Sequence, residues 1–167
     1  MKTLLVALVG NPNAGKTSLF NAITGSKQHV GNWPGKTIAK KEGHCKYKDY
    51  EIKLVDLPGT YSLSAFSPEE VIARDFIVQE KPDVVVAVLD AANLERNLYL
   101  AVQVLETEAP VVVALNMADI AETQKIHIKR AELSKFLQAP VVRTIARKEE
   151  GIRELLEAII ETKKIKL

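Results

Sequence analysis

Cysteine is nearly absent from these 167 residues. Cys45 stands alone, which excludes an internal disulfide and a cysteine metal cluster and fits a reducing compartment. Long apolar runs are missing too: none exceeds about eight residues, against the roughly 20 that a bilayer-spanning helix requires. Met1-Lys2-Thr3 leads straight into the first apolar run, so no signal peptide is expected and a cytosolic location is. Neither sign of charge prevails. Lys+Arg of 23 against Asp+Glu of 21 gives +2, and the interspersed charges leave no basic stripe of the kind that binds nucleic acid. Histidine is scarce, and His29, His44 and His127 are too scattered to favour an iron site. There is no internal repeat and no low-complexity tract.

What remains is an ordinary globular composition, 47% hydrophobic and 26% charged, enough for one domain over residues 1–167. Continuous apolar runs at 4–9, 83–89 and 111–115 read as strands buried on both faces of a parallel sheet. Residues 37–48 and 50–56 read as a hairpin turning at Asp49, and 141–145 as a further strand. Between them lie helical patterns: one opened by Ser67 as N-cap with Pro68 and running to about Glu80, one over 94–108, one over 129–137 with Leu133, Phe136 and Leu137 inward, and one over 151–163. Residues 25–36, rich in Gly, Asn, Pro and Ser, read as a loop. Strands alternating with helices imply a doubly covered α/β sheet.

The chemistry-bearing stretch is Gly10-Asn11-Pro12-Asn13-Ala14-Gly15-Lys16-Thr17, which joins the first strand to a helix that continues through Ser18. Its spacing, G-x-x-x-x-G-K-[ST], is that of a phosphate-binding P-loop. Gly10 and Gly15 let the backbone curl so that N–H groups converge on phosphate oxygens at a helix N-terminus. Lys16 supplies a mobile cation for the outer phosphates, and the Thr17 hydroxyl is placed to ligate Mg²⁺.

Two further segments end strands on the ligand-binding edge of such a sheet. Asp56-Leu57-Pro58-Gly59 offers a carboxylate that can hold Mg²⁺ through water, and a glycine N–H that can approach a terminal phosphate. Asn116-Met117-Ala118-Asp119 offers a carboxylate able to accept two hydrogen bonds from guanine, which adenine cannot donate, while Asn116 braces the surrounding loops. In Thr144-Ile145-Ala146 a small Ala146 can present its N–H to the guanine O6.

With these pieces in order the chain resembles the Ras-like P-loop G proteins from end to end. More narrowly it looks like the N-terminal cytosolic G domains of the ferrous iron transport protein B family, on the P-loop, Val30-Gly31-Asn32-Trp33-Pro34-Gly35-Lys36-Thr37, and Asp56-Leu-Pro-Gly-Thr-Tyr-Ser-Leu63 followed by Ser67-Pro-Glu-Glu70. The resemblance implies a three-layer sandwich with a six-stranded, mostly parallel sheet, one antiparallel edge strand and helices on both faces. It implies switch loops at about 25–37 and 56–67. GTP or GDP would be held by Gly10, Asn11, Pro12, Asn13, Ala14, Gly15, Lys16, Thr17, Ser18, Gly35, Thr37, Asp56, Gly59, Asn116, Met117, Asp119, Thr144, Ile145 and Ala146. Of these, Lys16, Asn13, Thr37 and Gly59 would serve the reaction. Mg²⁺ would sit on Thr17, Thr37 and, through water, Asp56, and K⁺ on Asn13 with the carbonyls of Gly31 and Trp33. The implied partners are a helical spacer and a transmembrane region of the same full-length transporter at the cytoplasmic face of the membrane, with no nucleic acid. A homo-oligomer stays open.

Three residues depart from the common G-protein pattern. Thr60 takes the place of a water-orienting glutamine, so slow intrinsic turnover is expected. Met117 replaces the lysine of Asn-Lys-x-Asp, which makes stacking on the base apolar. Ile145 replaces a serine, whose lost hydroxyl is expected to loosen the base loop. The reading is a GTP-hydrolysing switch, with a nucleotide-occupancy sensor of negligible turnover and a ribosome- or RNA-associated GTPase as alternatives.

Overall fold

A computed structural model describes residues 1–165; Lys166 and Leu167, the end of the expected domain, lie outside the described residues. The strands form where β-branched runs can bury both faces. In order they are β1 (Lys2–Gly10), β2 (Gln28–Asn32), β3 (Ala39–Tyr47), β4 (Tyr50–Asp56), β5 (Val84–Asp90), β6 (Val111–Asn116) and β7 (Val141–Arg143). They make one seven-stranded sheet in the order β2-β3-β4-β1-β5-β6-β7. From β4 to β7 every neighbour is parallel; β3 runs antiparallel to both β2 and β4.

The alternation of side chains along the central strands divides the core. Val84, Val86 and Val88 of β5 face α1 (Lys16–Thr24) and α6 (Ile152–Ile165), through Leu19, Phe20, Leu155 and Ile159. Val85, Ala87 and Leu89 face α2 (Pro68–Asp75), α3 (Leu94–Glu106), α4 (Ala118–Thr123) and α5 (Arg130–Leu137), through Ile72, Leu100, Ala121 and Leu137. Each of the Val, Leu, Ile and Phe side chains, once buried, contributes about 1.5–3 kcal/mol, so the strand order is fixed by two apolar layers acting at once. Asp83 ties the layers below the sheet, accepting from the Leu5 N–H at 2.8 Å and from Lys163 Nζ at 2.6 Å.

Three expectations need correction. The sheet has seven strands, not six, because residues 28–32 within the expected loop pair with β3, and the antiparallel strand β3 therefore lies second from the edge rather than at it. All five are exposed, so neither apolar period nor burial betrays the strand, and backbone pairing alone makes it. Phe136 does not point inward: it is 81% exposed, while Leu133 and Leu137, four residues apart, form the packed stripe of α5. The helix opened by Ser67 does reach Glu80, but its last five residues, Phe76–Glu80, wind as a π-helical turn. Lys81, at φ 47°, then ends it before Pro82.

Candidate functional site

The Gly-rich loop emerges from β1 at the C-terminal edge of the parallel strands, and α1 starts at Lys16. Gly15 takes φ 83°, a backbone region that costs other residues strain. A Cβ there would also lie 2.3 Å from the Asn116 Nδ2. Gly10 is needed for a different reason than curl: it closes β1, and a Cβ on it would lie 2.8 Å from the Val88 carbonyl oxygen of β5.

Lys16 is buried, and its Nζ lies 2.5 Å from the Oδ1 of Asp56, which is buried too at the end of β4. The segment that follows lies against the P-loop. The Thr60 N–H donates to the Gly10 carbonyl at 3.1 Å, and a Cβ on Gly59 would meet Pro12 Cα at 3.0 Å. The Thr60 side chain is 3% exposed and its hydroxyl has no partner; the buried carboxamide of Asn11 is likewise unpartnered. Asn13 in the loop and Thr17 and Ser18 in the first turn of α1 are exposed.

On the other flank a single side chain joins three segments. Asn116, the last residue of β6, donates from Nδ2 to the Ala14 carbonyl at 3.0 Å. Its Oδ1 accepts from the Thr144 hydroxyl and from the Ala146 N–H, each at 3.0 Å. The Ala146 N–H expected to meet a guanine O6 is therefore engaged by Asn116 here. Nor does Ile145 leave the loop loose: its side chain is buried, and its backbone exchanges hydrogen bonds with Glu150 at 3.0 and 3.1 Å.

A cavity of about 110 Å³ is lined by Gly15 and Ser18 on the P-loop side and by Asn116, Met117, Asp119, Ile120, Ile145, Ala146 and Arg147 on the other. Asp119 is held by Arg147 at 2.6 Å, with Lys148 at 3.8 Å. Partial desolvation works to raise the Asp119 pKa, but the Arg147 hydrogen bond, the Ile120 N–H and the nearby cations outweigh it and hold the carboxyl below its ordinary range.

The first expected switch loop is folded as a hairpin. Gly31 sits opposite Lys40 in the β2–β3 ladder. The Trp33 N–H donates to the Ile38 carbonyl at 3.0 Å, and its own carbonyl accepts from the Lys36 N–H at 2.9 Å. Gly35 and Thr37 are exposed in this turn, and among the described hydrogen bonds none joins Gly31, Trp33, Gly35 or Thr37 to the P-loop.

The second expected switch loop is organised by a residue whose role the sequence did not disclose. Glu70 accepts from the Ser62 hydroxyl at 2.6 Å, the Ser64 N–H at 3.1 Å and the Ser67 hydroxyl at 3.2 Å. The Glu70 N–H in turn donates to Ser67 Oγ. The S-x-x-E spacing of a capping box was the available signal. Gln103 of α3 anchors the same loop by accepting from the Leu63 N–H at 2.7 Å. Arg147 and Gln103 carry no sequence signal, since each acts through a contact made only in the fold.

The chain matches, over residues 4–159, the model of the family described as ferrous iron transport protein B. It is 50% identical over 163 residues to the Fe(2+) transporter FeoB of Escherichia coli K12, covering 95% of this chain and 21% of that one. The chain thus spans about a fifth of the length of the curated relatives it matches. The FeoB G domain of Methanococcus jannaschii superposes with a TM-score of 0.88 at 46% identity, covering 98% of this chain and 99% of that one. The cytosolic domain of the T. maritima FeoB iron transporter, in its GMPPNP form, superposes with a TM-score of 0.92 at 51% identity, covering 95% and 63%.

Proposed function

The chain belongs to the FeoB_N family of ferrous iron transport protein B, and from that premise we propose that it is the GTP-hydrolysing switch domain of a ferrous iron transporter. The observation that carries the reading is the Asn116 clamp. One side chain fixes the P-loop and the base-side loops around a cavity that Asp119 helps to line. A carboxylate there favours guanine over adenine, because guanine supplies it with two N–H donors and adenine supplies none. The GMPPNP form of the T. maritima relative supports the same ligand class.

In this reading Lys16 leaves Asp56 to bind the outer phosphates, and water attacks the γ-phosphate to give GDP and phosphate. Positioning and electrostatics supply most of the rate. Thr17 and Asp56 are hard oxygen donors that suit Mg²⁺, with Thr37 joining them once its hairpin opens. A bound divalent cation would neutralise charge developing between the β- and γ-phosphates. The exposed Asn13 suits a potassium ion, but the Gly31 and Trp33 carbonyls do not in this conformation, because both residues are committed to the hairpin. No step is therefore assigned to potassium.

In this reading the buried Thr60, whose N–H is bonded to the Gly10 carbonyl, does not replace a water-orienting glutamine, and slow intrinsic turnover is the expectation. The same fact favours a second reading, a nucleotide-occupancy sensor with negligible turnover. Single-turnover hydrolysis in KCl and NaCl at equal ionic strength, with Asn13→Ala alongside, separates the two. Turnover in either salt supports the hydrolase, with potassium stimulation lost in the variant adding a cation at Asn13, and near-zero rates in both salts support the sensor. Binding of ATP as tight as GTP, or GTP binding retained by Lys16→Ala, would overturn both. Among the described residues no helix is long and apolar enough to cross a membrane. The domain would act at the cytoplasmic face through a helical spacer and transmembrane region elsewhere in a longer protein.

A further inference from the structure

Trp33, the chain's single tryptophan, begins the hairpin turn yet is 7% exposed. Its ring meets Phe76 edge to face, with centroids 5.9 Å apart and planes at 77°. The Lys40 Nζ stands 4.8 Å above the ring. The indole lines a cavity of about 310 Å³ between the hairpin and α2, floored by Leu5, Val55, Ile72 and Phe76. Two features show that this seat is not optimised. The buried indole N–H has no partner, a cost that a pure packing site has no reason to carry. Phe76 also opens the π-helical turn, a winding rare in helices and often found at functional sites.

The seat and the phosphate site compete for one short turn. Trp33 and Thr37 are joined by the Trp33–Ile38 and Lys36–Trp33 hydrogen bonds, so carrying Thr37 to the phosphates opens that closure and draws on the indole. Phe76 belongs to the helix that continues from the second switch through Ser67 and Glu70. We propose that Trp33 is a positioning residue, a latch whose seat on Phe76 holds the first switch away from the nucleotide until a third phosphate recruits Thr37. Occupancy of the seat is thereby linked to α2 and the second switch. The inference rests on the nucleotide-switch reading above.

Because no other tryptophan is present, indole emission reports on the seat alone. Emission maximum and acrylamide quenching are measured on the chain without nucleotide, with Mg-GDP and with Mg-GMPPNP, while calorimetry follows binding independently. The expected result is a blue, protected indole in the first two states, and a red-shifted, severalfold more quenchable one with Mg-GMPPNP. Phe76→Leu keeps the core filled but removes the aromatic edge. It should leave GDP affinity unchanged and raise GMPPNP affinity about two- to tenfold, the worth of one aromatic pair. If GMPPNP does not bind at all, the nucleotide reading fails and the latch with it. If GMPPNP binds while the emission stays blue and protected, if GDP shifts it equally, or if Phe76→Leu leaves the affinity ratio unchanged, the latch alone is overturned.

Discussion

Lys16 and Asp56 neutralise each other, Nζ to Oδ1 at 2.5 Å, and both side chains are buried. Each is also the residue assigned to the ligand, Lys16 to phosphate and Asp56 to magnesium. Without nucleotide the site therefore satisfies its own charges. Under the proposed function, ligand entry would replace one set of ionic contacts by another and leave neither charge unpaired.

Asp56→Asn consequently strands a buried ammonium. The nucleotide-free protein should lose about 3–5 kcal/mol of stability. A guanine nucleotide restores a partner for Lys16, so GDP should raise the melting temperature of the variant by more than that of the wild type. Thermal unfolding with and without GDP checks this, and an equal shift in both proteins would count against it.

Asn116→Ala removes three hydrogen bonds from a buried position. At roughly 1 kcal/mol each, with an added penalty for buried groups left unpaired, the cost is about 3–5 kcal/mol. Denaturant unfolding measures it. Guanine preference over adenine should fall as well, since the loop beside Asp119 loses its brace.

Glu70 titrates below the ordinary glutamate value of 4.5, chiefly through the Ser62 hydrogen bond, opposed by desolvation and assisted by Ser67 and the Ser64 N–H. A folded-state pKa that is depressed adds stability above the unfolded value, lost as pH falls through the folded one. Hydrogen-exchange protection of the Ser64 amide should thus hold down to about pH 4.5 and decline below it. Glu70→Gln should weaken that protection at neutral pH and flatten its pH dependence.

Thr60→Val is expected to leave stability unchanged or raise it by about 1 kcal/mol, because an unpartnered buried hydroxyl gives way to a methyl group of similar shape. The backbone bond to Gly10 survives the change. A loss of more than about 1 kcal/mol in denaturant unfolding would mean that the hydroxyl has a partner in solution, such as a buried water.

The sequence disclosed whatever obeys a spacing rule. The P-loop, Asp56 and Asn116 stand out because a phosphate or a base fixes where its partners must fall. The buried strands stand out because Val84–Leu89 and Val111–Leu115 are apolar on both faces. Other features were illegible for equally physical reasons. β2 is held by backbone pairing with every side chain exposed. The π-turn at Phe76 changes winding without changing composition. The bond from the Ala146 N–H to Asn116 was illegible as well, since only the fold brings the two segments together. The seat of Trp33 was invisible because its partner, Phe76, lies 43 positions further on (76 − 33).

The open margin of the sheet bears on solubility. β2 carries no lysine, arginine or carboxylate, so as an unpaired border it is guarded by little beyond its shortness. Were the hairpin to open during a nucleotide cycle, the border would pass to β3, which carries Lys40, Lys41, Glu42 and Lys46. Charged side chains on an outer strand discourage another chain from adding to it. The strand that such an opening would uncover thus already carries the charges that discourage intermolecular pairing.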